Sequence, residues 1–71
     1  MGLVALVSDG LTDRQREVTI LVAAGLTNDE IADRIGPVRG TVGNQVVAIV
    51  RKLGLRNRVQ LAVWAVKQGL Y

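Results

Sequence analysis

Apolar residues recur along this chain at helical spacing, in four runs that each follow a polar residue able to start a helix. Val18, Leu21, Val22 and Gly25 share one face of a predicted helix over 13–24. Ile31, Ala32 and Ile35 do the same over 28–35. Val42, Val46, Ile49, Val50 and Leu53 form the stripe of a longer helix predicted to start near Arg39 and run to 53. A fourth helix is predicted over 58–68. Thr12 with Gln15 and Thr27 with Glu30 have capping-box spacing: the hydroxyl accepts a free backbone N–H while the side chain three residues on reaches back. Asn57 with Gln60 is a weaker third case. Gly25, Gly36-Pro37, Gly54 and Gly69 supply the stops. Residues 3–10 end in Ser8-Asp9-Gly10, a turn signal, so 1–10 reads as an extension or linker and 11–71 as one domain. The expected fold is all-α: four helices with a central helix-turn-helix, joined at its middle by a turn of about three or four residues.

The fourth helix is apolar on too many sides for one core. Val59, Ala62, Val63 and Val66 are expected to face inward, leaving Leu61, Trp64 and Ala65 pointing broadly the other way. A second apolar face points to a partner, and a homodimer through this helix is the first reading. Contact with residues 3–7 of the same chain is the plainer one.

Composition narrows the function classes. With 71 residues there is room for one small domain of modest stability. There is no Cys and no His, hence no disulfide, no thiolate or imidazole metal site and no such nucleophile or base. The acids cluster in capping turns and no phosphate-cradling Gly loop is present, so neither an enzyme nor a bound cofactor is expected. Trp64 and Tyr71 are the only aromatics, too few for a base-stacking platform. The apolar run 1–7 is too short to span a bilayer and lacks a basic start, which fits a cytoplasmic protein with no membrane association. The net charge of +3 conceals an asymmetry. Residues 1–33 carry two bases against six acids, a net −4, while residues 34–71 carry seven bases and no acid, +7. An acid-free basic half suits a polyanion, although a solvated basic face would look the same.

Four blocks then carry a specific resemblance. They are Leu11-Thr12-Asp13-Arg14-Gln15-Arg16-Glu17-Val18; Leu21-Val22-Ala23-Ala24-Gly25-Leu26-Thr27-Asn28-Asp29-Glu30-Ile31-Ala32; Thr41-Val42; and Lys52-Leu53-Gly54-Leu55-Arg56-Asn57-Arg58-Val59-Gln60-Leu61-Ala62. Over 11–70 the chain resembles the LuxR-type (GerE-like) helix-turn-helix family. The resemblance implies a bacterial transcription regulator's DNA-binding domain, with the third helix reading double-stranded DNA and the fourth often forming the dimer contact. Such domains stand alone or behind an upstream sensory domain, and both arrangements stay open. The chain departs from the family pattern at Val38, usually a capping Ser; at Gly43, usually Lys; and at Gln45, often His. Val47 occupies a position often used for base contact. Gly40 and Gly43 would each cost roughly 1 kcal/mol of helix propensity relative to Ala.

Candidate DNA-binding residues follow, each with a plainer alternative. Thr27 and Asn28 open the second helix, where a phosphate is favoured, but Thr27 is a cap in any case. Thr41 matches a phosphate-contacting family position, or bonds only its own helix. Asn44 and Gln45 can each bond an adenine edge, or be solvated surface. Gly43 can permit close approach to a base, or mark lost function. Arg39, Arg51, Lys52, Arg56 and Arg58 are read as phosphate clamps, with dipole and solubility roles as the alternative. A degenerate helix-turn-helix that serves as a protein-interaction or dimerisation module is the competing function.

Overall fold

The computed structural model describes residues 9–36 and 40–71. These form four helices, α1 (Asp13–Ala23), α2 (Asn28–Ile35), α3 (Val42–Lys52) and α4 (Arg58–Lys67), with no strand among the described residues. The central pair α2–α3 is the expected helix-turn-helix. The expected capping boxes form at Thr12 and Thr27: each Thr hydroxyl accepts from the third residue on, and the Gln15 and Glu30 side chains accept from the cap N–H groups. Asn57 accepts from the Gln60 N–H at 2.9 Å to start α4.

The third helix begins at Val42, later than the expected start near Arg39. Gly40 lies at φ +77°, outside any right-handed helix, and Thr41 is extended. The Thr41 hydroxyl accepts from the Asn44 N–H at 3.0 Å and so supplies the cap that Val38 cannot. Gly40 therefore bears no helix-propensity cost. The residues between α2 and α3 are 36–41, more than the three or four expected, and Val38 and Arg39 lie outside the described residues.

Three helices end alike. In each, the residue after the C-cap is glycine, whose N–H bonds back two positions inside the helix, and the leucine after it bonds one position deeper. Gly25 and Leu26 reach Val22 and Leu21; Gly54 and Leu55 reach Arg51 and Val50; Gly69 and Leu70 reach Val66 and Ala65. This is the Schellman motif, which satisfies otherwise orphaned carbonyls. Leu26 and Leu55 also pack against the core.

The core joins all four helices: Val18 and Val22 from α1, Ile31 from α2, Val42, Val46 and Ile49 from α3, Leu61 and Ala65 from α4. Leu11, Leu21, Ala32, Ile35, Val50 and Leu53 surround it. The buried Thr19 hydroxyl donates to the Gln15 carbonyl at 2.8 Å and costs no lost hydrogen bond. Helix α1 is central and packs on α4, α3 and α2.

Helix α4 is rotated from its expected setting. Leu61 and Ala65, assigned to a partner surface, are fully buried, and Trp64 is half-buried against the core. Val59, Val63 and Val66, expected inward, are 71%, 48% and 55% exposed. Arg58 shares one helical face with Leu61 and Ala65. Its guanidinium turns inward to bond the Asn28 side chain and the Leu26 carbonyl, so the face that carries this cation is the face that meets the core.

The described residues just before α1 are tied to it. Asp9 accepts both guanidinium N–H bonds of Arg16, at 3.0 and 3.1 Å, and the Leu11 N–H at 2.9 Å. Burial, with the Asp9 side chain only 10% exposed, pushes its carboxyl pKa up, but these hydrogen bonds and the Arg16 charge outweigh it and hold the pKa below the usual carboxylate range. A carboxylate depressed on folding stabilises the fold above its unfolded pKa, and that stability drains away as pH falls through the lower folded value. Asp9→Asn is expected to cost about 2 kcal/mol at neutral pH. Thermal melts across pH should show the gap to the unaltered chain closing in acid; a gap independent of pH would assign the loss to something other than the charge.

Candidate nucleic-acid interface

Burying Val42, Val46 and Ile49 turns a definite face of α3 outward. Asn44, Val47, Ala48 and Arg51 are all exposed, at the i, i+3, i+4, i+7 spacing of a single stripe. Asn44 offers an amide to a base edge, while Val47 and Ala48 offer methyl groups of the kind that pack on thymine. Gln45, one residue and about 100° round from Asn44, is half-buried at the border of this face rather than on it. Ala48 is the position that sequence reasoning missed. It lies four residues after Asn44 and three before Arg51, so the spacing was available, but Ala carries no polar group to draw notice.

Beyond the stripe, the basic residues divide by what they already hold. Arg51 and Arg56 are exposed, and the Arg56 backbone N–H donates to Gln60 Oε1 at 2.8 Å. Lys52 is exposed with its Nζ donating to Gln15 Oε1 at 3.1 Å, which ties the end of α3 to the start of α1. Arg58 is half-buried and differs most from its reading as a free clamp. Its Nη1 donates to Asn28 Oδ1 and its Nη2 to the Leu26 carbonyl at 2.6 Å. Arg39 lies outside the described residues.

A shallow cleft separates the first turns of α2 and α3, lined by Asn28, Asp29, Ala32, Gly40, Thr41 and Gly43. Both Thr27 and Thr41 spend their hydroxyl oxygens on their own helices. A Cβ added at Gly43 would sit 3.5 Å from Asn28 Nδ2 and 3.6 Å from Thr41 Oγ1, ordinary contact distances. The site therefore admits a side chain.

The outward face of α4 makes a second, apolar groove with Leu55, Val59, Gln60, Val63, Trp64 and Lys67 along it. Trp64 thus sits between core and groove. No group of three or more carboxylates able to hold a metal ion occurs among the described residues, and no described helix is long and apolar enough to cross a membrane.

Residues 9–65 match the model of the family described as bacterial regulatory proteins, luxR family, and the chain belongs to that family. Among similar proteins, the transcriptional regulatory protein LnrK of Bacillus subtilis is 42% identical over 60 residues, which is 84% of this chain and 27% of LnrK. The DNA-binding transcriptional activator DevR/DosR of Mycobacterium tuberculosis is 46% identical over 56 residues, covering 79% of this chain and 26% of that protein. The nitrate/nitrite response regulator protein NarL of Escherichia coli is 36% identical over 61 residues, 86% of this chain and 28% of NarL. The chain thus spans about a quarter of the length of these curated relatives. No solved structure matches it.

Gly43 gives a direct test of the α3 face. Gly43→Ala should stabilise the domain by up to about 1 kcal/mol, since the Cβ fits and the helix gains propensity. Gly43→Lys should gain less, because a cation in a helix's first turn opposes the dipole. It should nonetheless raise duplex affinity and steepen the salt dependence by about one phosphate's share. A lysine variant that is well folded but binds DNA no better would mean that glycine serves close approach or that this face does not meet DNA.

Proposed function

We propose that this chain is the DNA-binding part of a bacterial transcription regulator, which seats α3 in the major groove of double-stranded DNA. The observation that carries the reading is the exposed stripe Asn44, Val47, Ala48 and Arg51 on the second helix of a helix-turn-helix. Asn44, with Gln45 at its border, reads base edges, and Val47 and Ala48 supply apolar contact. Arg51, Arg56 and Arg39 hold phosphates, and Thr27, Thr41 and Asn28 line the approach to the backbone. Family membership and the printed role of DevR/DosR as a DNA-binding activator support this. The activity is binding rather than catalysis, and it belongs in the bacterial cytoplasm. Because the matched residues make up only about a quarter of each relative, a sensory or receiver domain elsewhere in a longer protein is part of the proposal.

A titration of the chain on duplex DNA across salt concentration tests this. The logarithm of the affinity should fall linearly with that of salt, and Arg51→Ala and Arg56→Ala should each flatten the slope by about one while weakening all sequences alike. An affinity that is absent or insensitive to salt would favour the competing reading, a helix-turn-helix turned protein-interaction module. The departures from the family pattern at Val38, Gly43 and Val47 are what favour that alternative.

Dimerisation through α4 belongs to the same proposal, but with the face the packing leaves outward. Val59, Val63 and Val66, not Leu61 and Ala65, are the residues a second copy would cover, with Trp64 at the edge. A symmetric pair would present two α3 helices to half-sites about one helical turn apart. Val63→Glu should leave the circular dichroism melt nearly unchanged and abolish the two-to-one complex on paired half-sites. Retention of that complex by the glutamate variant would remove α4 from the dimer.

A further inference from the structure

The strongest arrangement outside the α3 face is the contact of Arg58 with the start of α2. We propose that Arg58 is a positioning residue: it holds the Asn28 carboxamide so that Nδ2 faces the cleft between α2 and α3 and donates there to a DNA phosphate. This rests on the reading of the chain as a duplex-DNA binder.

A guanidinium has donors only, so the group it meets on Asn28 must be the amide oxygen. With Oδ1 turned to Arg58, Nδ2 points away from it. It lies 3.5 Å from the place a Gly43 Cβ would take, at the first turn of α3. No hydrogen bond from Nδ2 to a described residue occupies it. Two helix starts flank this donor: the positive dipole end of α3 has no acid in its first turn, while Asp29 and Glu30 offset that of α2. Asn28 is itself exposed, and an exposed amide left alone would sample several rotamers and both flips. Arg58 removes that freedom before DNA arrives. Its second bond, to the Leu26 carbonyl, fixes the guanidinium against the turn that precedes α2, so the fork that holds the Asn28 side chain is itself anchored to the backbone. The ordering cost that a free Asn would meet on binding is thereby met in folding. This differs from a phosphate clamp: the charge of Arg58 is spent inside the protein, and a neutral amide makes the contact.

The test is a double-mutant cycle on the full chain, read as affinity for a mixed-sequence DNA duplex at one low salt concentration, with melts confirming that each variant is folded. Arg58→Lys keeps the charge but cannot bridge Asn28 and Leu26 with a planar fork. It should weaken binding about tenfold, the scale expected for freeing one side chain at an interface. Asn28→Ala should weaken binding by a similar factor, and Arg58→Lys in that background should cost nothing more. A merely structural Arg58 would shift the melting temperature without this dependence on residue 28. The proposal is overturned if Arg58→Lys binds like the unaltered chain, or if its loss persists undiminished beside Asn28→Ala, as it would for a direct contact. Should Arg58→Lys fail to fold, Asn28→Ala decides, since unaltered affinity there overturns the proposal by itself. Failure of the unaltered chain to bind the duplex would instead overturn the DNA-binding reading and this inference with it.

Discussion

Helices of eight to eleven residues do not persist alone in water, and every helix of this domain falls in that range. Their ends therefore weigh as heavily as their faces. In a helix of eight residues nearly every backbone group lies within four positions of a terminus, where no partner exists inside the helix. The chain answers with a side-chain cap at each start, Thr12, Thr27, Thr41 and Asn57, and with a Gly-Leu pair that closes three of the four ends. The closing leucines at 26 and 55 then fold onto the core, so termination and burial are one event. A single aliphatic core holds the four pieces together, and Arg58, Lys52 and Arg14 add ties from one helix to the end of another.

That economy explains which parts of the fold were legible. Caps and stops are local chemistry, readable from residues three or four apart, and they locate α1, α2 and α4 within a residue or so. The start of α3 was not readable from its stripe alone, since the stripe begins at Val42 but does not say how many residues before it are helical. What sets the start is the left-handed backbone at Gly40, together with a cap, Thr41, that has no Gln or Glu partner to announce it. The rotation of α4 was illegible for a different reason. Leu61 and Val63 are nearly as apolar as each other, so periodicity could not choose between the two faces. Arg58 lies on the face that packs inward, and a sequence reader places an arginine outward by default. Here its fork turns in to the α1–α2 turn on the same side as the buried Leu61 and Ala65, and the three valines lie outside.

The candidate site was legible in its elements and less so in its members. The exposed face of α3 follows once Val42, Val46 and Ile49 are buried, and Asn44, Val47 and Arg51 fall on it as their spacing requires. Gln45 sits at its border for the same geometric reason. What spacing could not reveal is which cations are already engaged. Lys52 and Arg58 look like Arg51 and Arg56 in a string of letters, yet the first two hold other helices, while no side-chain bond to a described residue is made by the other pair.

The split in charge between the two halves of the chain acquires a physical meaning in this arrangement. Helices α1 and α2 carry acids in their first turns, Asp13 in one and Asp29 and Glu30 in the other, which offset the positive ends of their dipoles. Helices α3 and α4 carry none there and are started by neutral caps alone. Their positive ends remain uncompensated, and the seven bases of residues 34–71 add to the same field. A chain selected only for helix stability would place an acid in those turns, for a gain of about 0.3–1 kcal/mol each. Leaving both turns without one keeps the side of the domain that holds the α3 stripe free of like charge toward a phosphate backbone. Asp29 is the exception, since it lines the α2–α3 cleft itself. Its presence there makes a neutral, pre-oriented amide at Asn28 a better phosphate contact than a second cation that an adjacent carboxylate would draw away.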